Sequence, residues 1–447
     1  MKKLLFSFAA LLACTLQAES TEGELIENLT YRQRWPWSEI VDVDYVYKGS
    51  TPTSVTFVAT WEGQNTPVNL VSIGSRGAFF VRPGQNRFEW DPVAAGYGGK
   101  TLVNFKVRAE VVANDPRTYL VVDLVNGGYS FLPDVPEGGW TSEHKRTKLV
   151  FRRIPAGTYD LGTSEAEFRA RFGDNGTCGA IGRSSSLRTI VYTSDYYYQV
   201  FALTSAQYAR IQNPNSSSAA MTPSAGTKYT YLDLRGEVAD DGETAICWPQ
   251  TGHLVSSESF VGKLRARTGA TGQSELLVDL PTDAQWQLAM SAGTNTYYAT
   301  GGVKEDSDET ISNLVRAAFW ALSVDGTDPT KYEVGLKAPN KWGIYDFNVR
   351  CEPVLDWAHD NGTYLSGTFP YWLALPSFGV DPVGPLTPSA LGKRLLRGGE
   401  ANGKSYDPKS WTLFHRVGVL PTEEMYRPPR FVINLKPIVA AVPSSAK

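Results

Sequence analysis

The sequence predicts an α+β protein in two parts, an N-terminal antiparallel β-sandwich followed by a larger domain of short strands and a few helices set among long loops. Through the first part, apolar residues alternate with polar ones at a period of two. In the second part that period gives way to scattered strands and helices opened by paired capping signals. A chain of 447 residues is also longer than one ordinary core, so two domains of unequal size are expected.

Met1 to Ala18 has a basic start, an apolar stretch from Leu4 to Leu16 and a small residue at Ala18, so residues 1–18 read as an export signal peptide outside the fold. Leu11-Leu12-Ala13-Cys14 opens a second reading, in which Cys14 carries lipid and attaches the protein to a membrane. Either way the expected location is secreted or cell envelope, and the two-lysine leader has a bacterial character. A formal charge of −3 and no Lys/Arg run argue against a nucleic-acid partner. Cys178, Cys247 and Cys351 are an odd set that permits at most one internal disulfide, with all three pairings open. No CxxC or Cys/His spacing supports a structural zinc site.

The sandwich is expected over 24–132. Val41, Val43, Tyr45 and Tyr47 alternate with Asp42, Asp44 and Lys48, interrupted only by Val46. Val103, Phe105, Val107, Ala109 and Val111 alternate with Asn104, Lys106, Arg108 and Glu110, again one apolar and one wet face. Val55 to Trp61, Ala78 to Val81, Arg87 to Trp90 and Tyr119 to Leu124 supply further strands, with turns at Pro83-Gly84 and Asn126-Gly127-Gly128. This Ig-like sandwich has little motif content and reads as a spacer or docking module, with Trp35-Pro36-Trp37 read first as an edge or core anchor and second as a contact surface. Pro133 to Trp140 and the charged patch Glu143 to Arg146 form the expected linker, 133–146.

In the second domain, 147–437, a strand is expected from Thr147 to Ile154. Thr204 with Gln207, and Thr282 with Gln285, have the spacing of capping boxes, in which the cap hydroxyl and the third helical side chain satisfy each other's backbone N–H groups. A third helix, Ser257 to Thr268, carries Phe260, Val261 and Leu264 on one side and ends at Gly269. Ser216 to Gly226 and Val303 to Thr310 read as mobile surface loops, and 438–447 as a disordered tail. The stretch from Ala338 to Trp357 concentrates Trp342, Ile344, Tyr345 and Phe347 with Asp346, Glu352 and Asp356; it reads first as a core plug, and second as carboxylates lining a metal or ligand site.

Few constellations carry chemistry on their own. Asp356, His359 and Asp360 cluster locally, but without a nucleophile motif they read as a solvated loop. Ser184-Ser185-Ser186 reads as a loop too. His144, His253, His359 and His415 show no ligand spacing and are expected as surface or loop residues. No P-loop or GxGxxG supports nucleotide binding.

Six segments nevertheless follow one another in a telling order: Arg153 to Gly162, Leu203 to Tyr208, Leu280 to Thr294, Pro339 to Phe347, Arg394 to Gly399, and Arg430-Phe431-Val432. In this order they resemble the formylglycine-generating enzyme, or sulfatase-modifying factor, superfamily over about residues 148 to 436. The resemblance implies a C-type-lectin-like α+β fold with much irregular structure.

Active members of that family resemble copper-dependent oxidases that use two cysteines shortly after an Arg-Gly-Gly-Ser-Trp motif, thiolates being the ligands that suit Cu(I). Here the motif reads Arg397-Gly398-Gly399-Glu400-Ala401, and no cysteine follows it. Copper is therefore not expected, and the chain reads as a divergent member of pseudoenzyme type. The family also holds a structural calcium through His-Gly-Asn-Val-Trp-Glu-Trp. This chain reads Phe347-Asn348-Val349-Arg350-Cys351-Glu352-Pro353-Val354-Leu355-Asp356-Trp357, which leaves Glu352 as the one weak calcium ligand, with Arg350 competing for it. The overall expectation is no cofactor.

These readings lead to an exported, non-catalytic recognition or structural protein that binds a peptide, protein or glycan through loops of its C-terminal domain. The candidate ligand-binding residues flank the former catalytic motif: Tyr371, Trp372, Glu400, Trp411, Phe414, His415 and Tyr426. The alternative is a metal-dependent oxidoreductase of the same family with an altered site, Glu400 standing in for the lost Ser and His415 acting as base.

Overall fold

The structure is a computed structural model of the full chain. It describes all residues except 1–15, 18–24, 51–52, 65, 72–77, 79–80, 94, 96, 113–116, 175–180, 182–184, 186, 225–227, 239–243, 302–306, 308, 311–332, 348–351, 359–378, 388–391, 399–411, 426 and 439–447. The chain divides into two compact units, Met1–Asp115 and Pro116–Lys447.

The first unit is built from two antiparallel sheets. One runs β1 (Leu16–Gln17), β2 (Ile26–Gln33), β3 (Val41–Tyr47) and β6 (Gly84–Trp90); the other runs β5 (Val68–Asn69), β4 (Ser54–Thr60) and β7 (Lys106–Val112). Strict alternation is what lets each sheet bury one face, and β4 alternates along its whole length. Val43, Tyr45 and Phe88 from one sheet share a single core with Phe57 and Val107 from the other. Phe57 stacks on Phe88 between the sheets, with ring centroids 4.1 Å apart. The last strand begins at Lys106, later than the pattern from Val103 suggests, because Asn104 adopts a positive φ of 56° in the preceding turn. Trp35 and Trp37 do not anchor anything: they are 59% and 89% exposed.

The second unit is organised on a six-stranded antiparallel sheet. Its order is β16 (Leu277–Asp279), β20 (Val432–Asn434), β13 (Tyr196–Gln199), β10 (Lys148–Ile154), β8 (Tyr119–Asp123) and β9 (Tyr129–Leu132). Two expectations are corrected here. The strand at Tyr119 and its partner belong to this sheet and not to the sandwich, since Phe151 of β10 lies opposite Leu120 of β8. The physical reason is visible in β8: Tyr119 to Val122 are all buried, the mark of an interior strand covered on both faces and unlike the half-wet strands before it. The stretch 133–146 is accordingly internal to this unit and ends in a short helix, α1 (Ser142–Arg146), closed by Thr141 and His144.

The two helices with capping-box spacing start where Thr204 and Thr282 place them, while the third starts at Phe260, later than the Ser257 expected, because Ser259 caps it. Thr204 caps α3 (Ser205–Gln212), the next after α2 (Glu165–Phe172), and Thr282 caps α6 (Asp283–Ser291), each in a full capping box. Between them lie α4 (Tyr231–Arg235) and α5 (Phe260–Gly269), the latter capped by Ser259. Part of the Ser216–Gly226 loop is tied to α3: Arg210 Nη1 donates to the Ser218 carbonyl and the Ser205 N–H to the Thr222 carbonyl. A second sheet, of β17 (Glu352–Trp357), β18 (Arg394–Arg397) and β19 (Arg416–Val419), completes the part of the fold that matters for the site. No helix among the described residues is long and apolar enough to cross a membrane.

The aromatic stretch after Ala338 is a plug as far as it is described. Trp342, Ile344 and Phe347 are buried. Asn340 fastens the plug to the end of α6, its amide nitrogen donating to the carbonyls of Ala289 (2.9 Å) and Met290 (3.0 Å) in the last turn of the helix. Its amide oxygen accepts from the N–H groups of Trp342 and Ile344, closing the turn in which Gly343 takes a φ of 75°.

Candidate functional site

Two of the segments quoted for the family resemblance, Leu280 to Thr294 and Arg394 to Gly399, meet where α6 lies against the second sheet. Every residue of α6 is buried, polar ones included, so its hydrophilic side chains must find partners inside the protein. Asp283, in the first turn, accepts from Arg416 Nε at 3.1 Å and Nη2 at 2.9 Å and pairs with Arg397 at 3.1 Å. One turn on, the Gln287 side-chain oxygen accepts from Arg397 Nη2 (2.9 Å) and Arg416 Nη2 (3.2 Å). Arg397 also donates to the Leu413 carbonyl and Arg416 to Ser185 Oγ. Two arginines on adjacent strands thereby clamp one carboxylate and one amide of a single helix face.

The N-terminus of that helix is held by Asp356 of β17, whose carboxylate accepts the Asp283 N–H at 2.7 Å. Asp356 is buried, contrary to its reading as part of a solvated loop; His359 and Asp360 lie outside the described residues. Gly384 is packed so closely on this carboxylate that a side chain there would collide with it, and its φ is 79°.

Glu352, the residue weighed for calcium, faces a different cation. Its carboxylate accepts from Arg430 Nε and Trp286 Nε1, both at 2.8 Å. The Arg430 guanidinium is completely buried and donates further to the backbone carbonyls of Gln199, Val200, Tyr345 and Asp346. One carboxylate and several carbonyls are the oxygen donors a calcium site uses, and here a fixed guanidinium occupies them, so the residues around Glu352 do not fit a calcium ion. Among the described residues, no three His, Cys, Asp or Glu side chains converge on a metal-sized site. Asp346 is buried beside the same guanidinium and accepts the N–H of Gly335 at 2.6 Å. Burial outweighs the Arg430 charge and lifts its carboxyl from 3.8 to about 6.

Of the residues chosen from sequence, two ligand candidates are described and both are interior. Phe414 packs edge-on against Phe168 and Tyr297. His415 is buried with Nδ1 2.9 Å from the Gly398 carbonyl, which fixes the ring by a hydrogen bond to backbone. Tyr371, Trp372, Glu400, Trp411 and Tyr426 lie outside the described residues. The histidines as a class are corrected: His144, His253 and His415 are all buried. His253 accepts the Ile438 N–H at Nε2, so its proton sits on Nδ1, where it meets Asp279 at 2.8 Å. Asp279 carries a stronger partner in Arg235, which with His253 and Arg265 overcomes the effect of burial and holds its carboxyl at about 2. Ser185, read as part of a loop, is buried beneath Phe414 and Arg416. Cys247 is a free thiol, and Cys178 and Cys351 are outside the described residues.

The residues sequence reasoning missed are Asp283, Gln287, Arg416 and the pairing role of Arg430. Asp283 and Gln287 did stand in a well-signalled helix, and their spacing of four puts them on one face. Nothing local to Arg416 or Arg430 points to partners far away in the chain.

Fold and site together define an α+β scaffold with short antiparallel sheets, in which several motif-bearing segments pack against one buried helix. The match of residues 150–410 to the sulfatase-modifying factor enzyme 1-like domain makes the identification: the chain belongs to that family. Neither a curated protein nor a solved structure gave a match.

Proposed function

We propose that this is an exported recognition or structural protein whose C-terminal unit uses the family scaffold without catalysing a reaction, and that loops around the family motif bind a peptide, protein or glycan. The observation that supports this most is the fate of the polar side chains around Arg397. Asp283, Gln287, Arg397 and Arg416 are hydrogen-bonded or ion-paired to one another. A carboxylate acting as general base has to reach a substrate proton with a free lone pair, whereas Asp283 and its partners hold a helix to a sheet. The sequence adds that residues 400–447 contain no thiol with which to build the family's soft-metal centre.

The test uses the mature protein on glycan and peptide arrays, followed by titration of any hit. Saturable binding that weakens at least tenfold in Trp411→Ala, with an unchanged melting curve, is the expected result. Blank arrays with folded protein, or a bound transition metal together with oxygen consumption on cysteine peptides, would overturn it in favour of the oxidoreductase alternative.

A further inference from the structure

The first unit carries a feature that its reading as a spacer does not use. A cavity of about 700 Å³ opens on the sandwich, and all its lining residues lie between Tyr31 and Phe105. Its apolar wall is made of the rings of Tyr31, Trp35, Trp90, Tyr97 and Phe105. This wall is rigid: Trp90 stacks on Phe105 at 5.5 Å with the planes 10° apart, Tyr97 packs edge-on against Trp61 at 5.2 Å, and the Tyr31 hydroxyl donates to the Phe105 carbonyl. Trp35 stands at the mouth, 59% exposed.

Val41, Pro92 and Leu102 add to the apolar wall, and Arg32, Gln33, Glu39, Lys100 and Thr101 bring polar and charged groups among the rings. Glu39 already accepts the Gly99 N–H at 2.9 Å, which pins one wall of the pocket. Lys100 lies over the Tyr97 ring, 5.2 Å from its centre. The size and the mix of preformed aromatic surface with a few polar groups are those of a ligand pocket.

We propose that this pocket binds an acidic oligosaccharide. A sugar ring has an apolar face of axial C–H groups that rests on an aromatic ring and a girdle of hydroxyls that needs donors and acceptors at its edge, and this lining offers both. A lipid or other wholly apolar ligand would take the charged Arg32 and Glu39 side chains out of water without adding a hydrogen bond in return. Arg32 and Lys100 bring two cations against a single carboxylate that is already bonded, so the complementary sugar carries acid groups. All of the lining belongs to the first unit, so binding there does not depend on the role of the C-terminal unit.

Affinity electrophoresis and calorimetry of the full chain decide the matter, with polygalacturonate, alginate and hyaluronan as uronic-acid polymers, laminarin as a neutral glycan and a proline-rich peptide as the competing class. Binding to at least one uronic-acid polymer is expected, weakening as salt is raised. Trp35→Ala and Lys100→Glu each reduce it at least tenfold, while Trp37→Ala, equally a surface tryptophan but not part of the lining, leaves it within twofold. Trp35 and Lys100 are exposed, so both variants fold, and matching melting curves verify this. No binding to any uronic-acid polymer, preference for laminarin or the peptide, or equal loss in Trp37→Ala overturns the proposal.

Discussion

The two units of this chain are held together by different chemistry. Among the described residues of the sandwich, Asp42 is the one buried polar or charged residue, and the core is otherwise aliphatic and aromatic. In the second unit Arg153, Arg235, Arg394, Arg397, Arg416 and Arg430 are all buried, five of them paired with buried carboxylates. The exception, Arg394, donates to the carbonyls of Ile246, Trp248 and Leu355 and lies over the Trp357 ring. A sheet with one apolar face closes on another by area alone, at roughly 25 cal/mol per Å². A unit rich in loops has many carbonyls and short strands to fix in place, and guanidinium groups, each with five donors, can fasten several at once.

The comparison is broken most directly at Arg430. Arg430→Met keeps the volume but strands the Glu352 carboxylate in the interior, and a loss on the order of 3–5 kcal/mol is expected from urea unfolding. Adding Glu352→Gln removes the stranded charge, and the double variant is expected to regain a substantial part of the loss. If the single variant unfolds like the wild type, the buried pairs are not what organises this unit.

How far the sequence reached follows the same division. Period-two alternation located β3, β4 and β7 because a strand announces its buried face within a few residues, and Thr204 and Thr282 announced α3 and α6 because a cap acts over one turn. The buried pairs have no such local signature: Arg416 and Asp283 are 133 residues apart, Arg430 and Glu352 78. Hence Phe414 and His415 could be chosen as surface contacts from their place beside a motif, although the fold turns both inward. The boundary was missed for a related reason. Tyr119 to Val122 are apolar on both faces, which is a message about neighbours on either side, but PDVPEGGW downstream has the composition of a linker.

A sharper test of the second unit uses pH. The Asp346 carboxyl, raised to about 6 in the folded protein, has its ordinary value near 3.8 when unfolded. Between those values the folded chain holds a proton that the unfolded chain has released, so this group's contribution is most favourable below pH 4 and is lost as pH rises through 6. Above that range the charged form costs on the order of 3 kcal/mol. Asp346→Asn does not titrate, so its stability relative to wild type is expected to improve by that order between pH 4 and pH 7. The readout is the difference between the two proteins in urea midpoints at several pH values, because the difference cancels the groups they share. A difference that stays flat across the window would show that the folded carboxyl titrates like an exposed one.

The smallest effect is expected in the sandwich, at the ion pair that most resembles those of the other unit. Arg34 donates to Asp42 through Nε and Nη2 and to Glu89 through Nη2, and the Asp42 side chain is only 3% exposed. Yet the arginine itself is 35% exposed, so water already solvates part of the charge that faces Asp42. Arg87 stands behind it, 3.7 Å from the other Asp42 oxygen, and remains when Arg34 is removed. Arg34→Ala therefore strands nothing, and a change of about 1 kcal/mol or less is expected in the unfolding of the first unit. A loss as large as that of Arg430→Met would mean that Asp42 depends on Arg34 as Glu352 depends on Arg430, and the chemical distinction between the two units would fall with it.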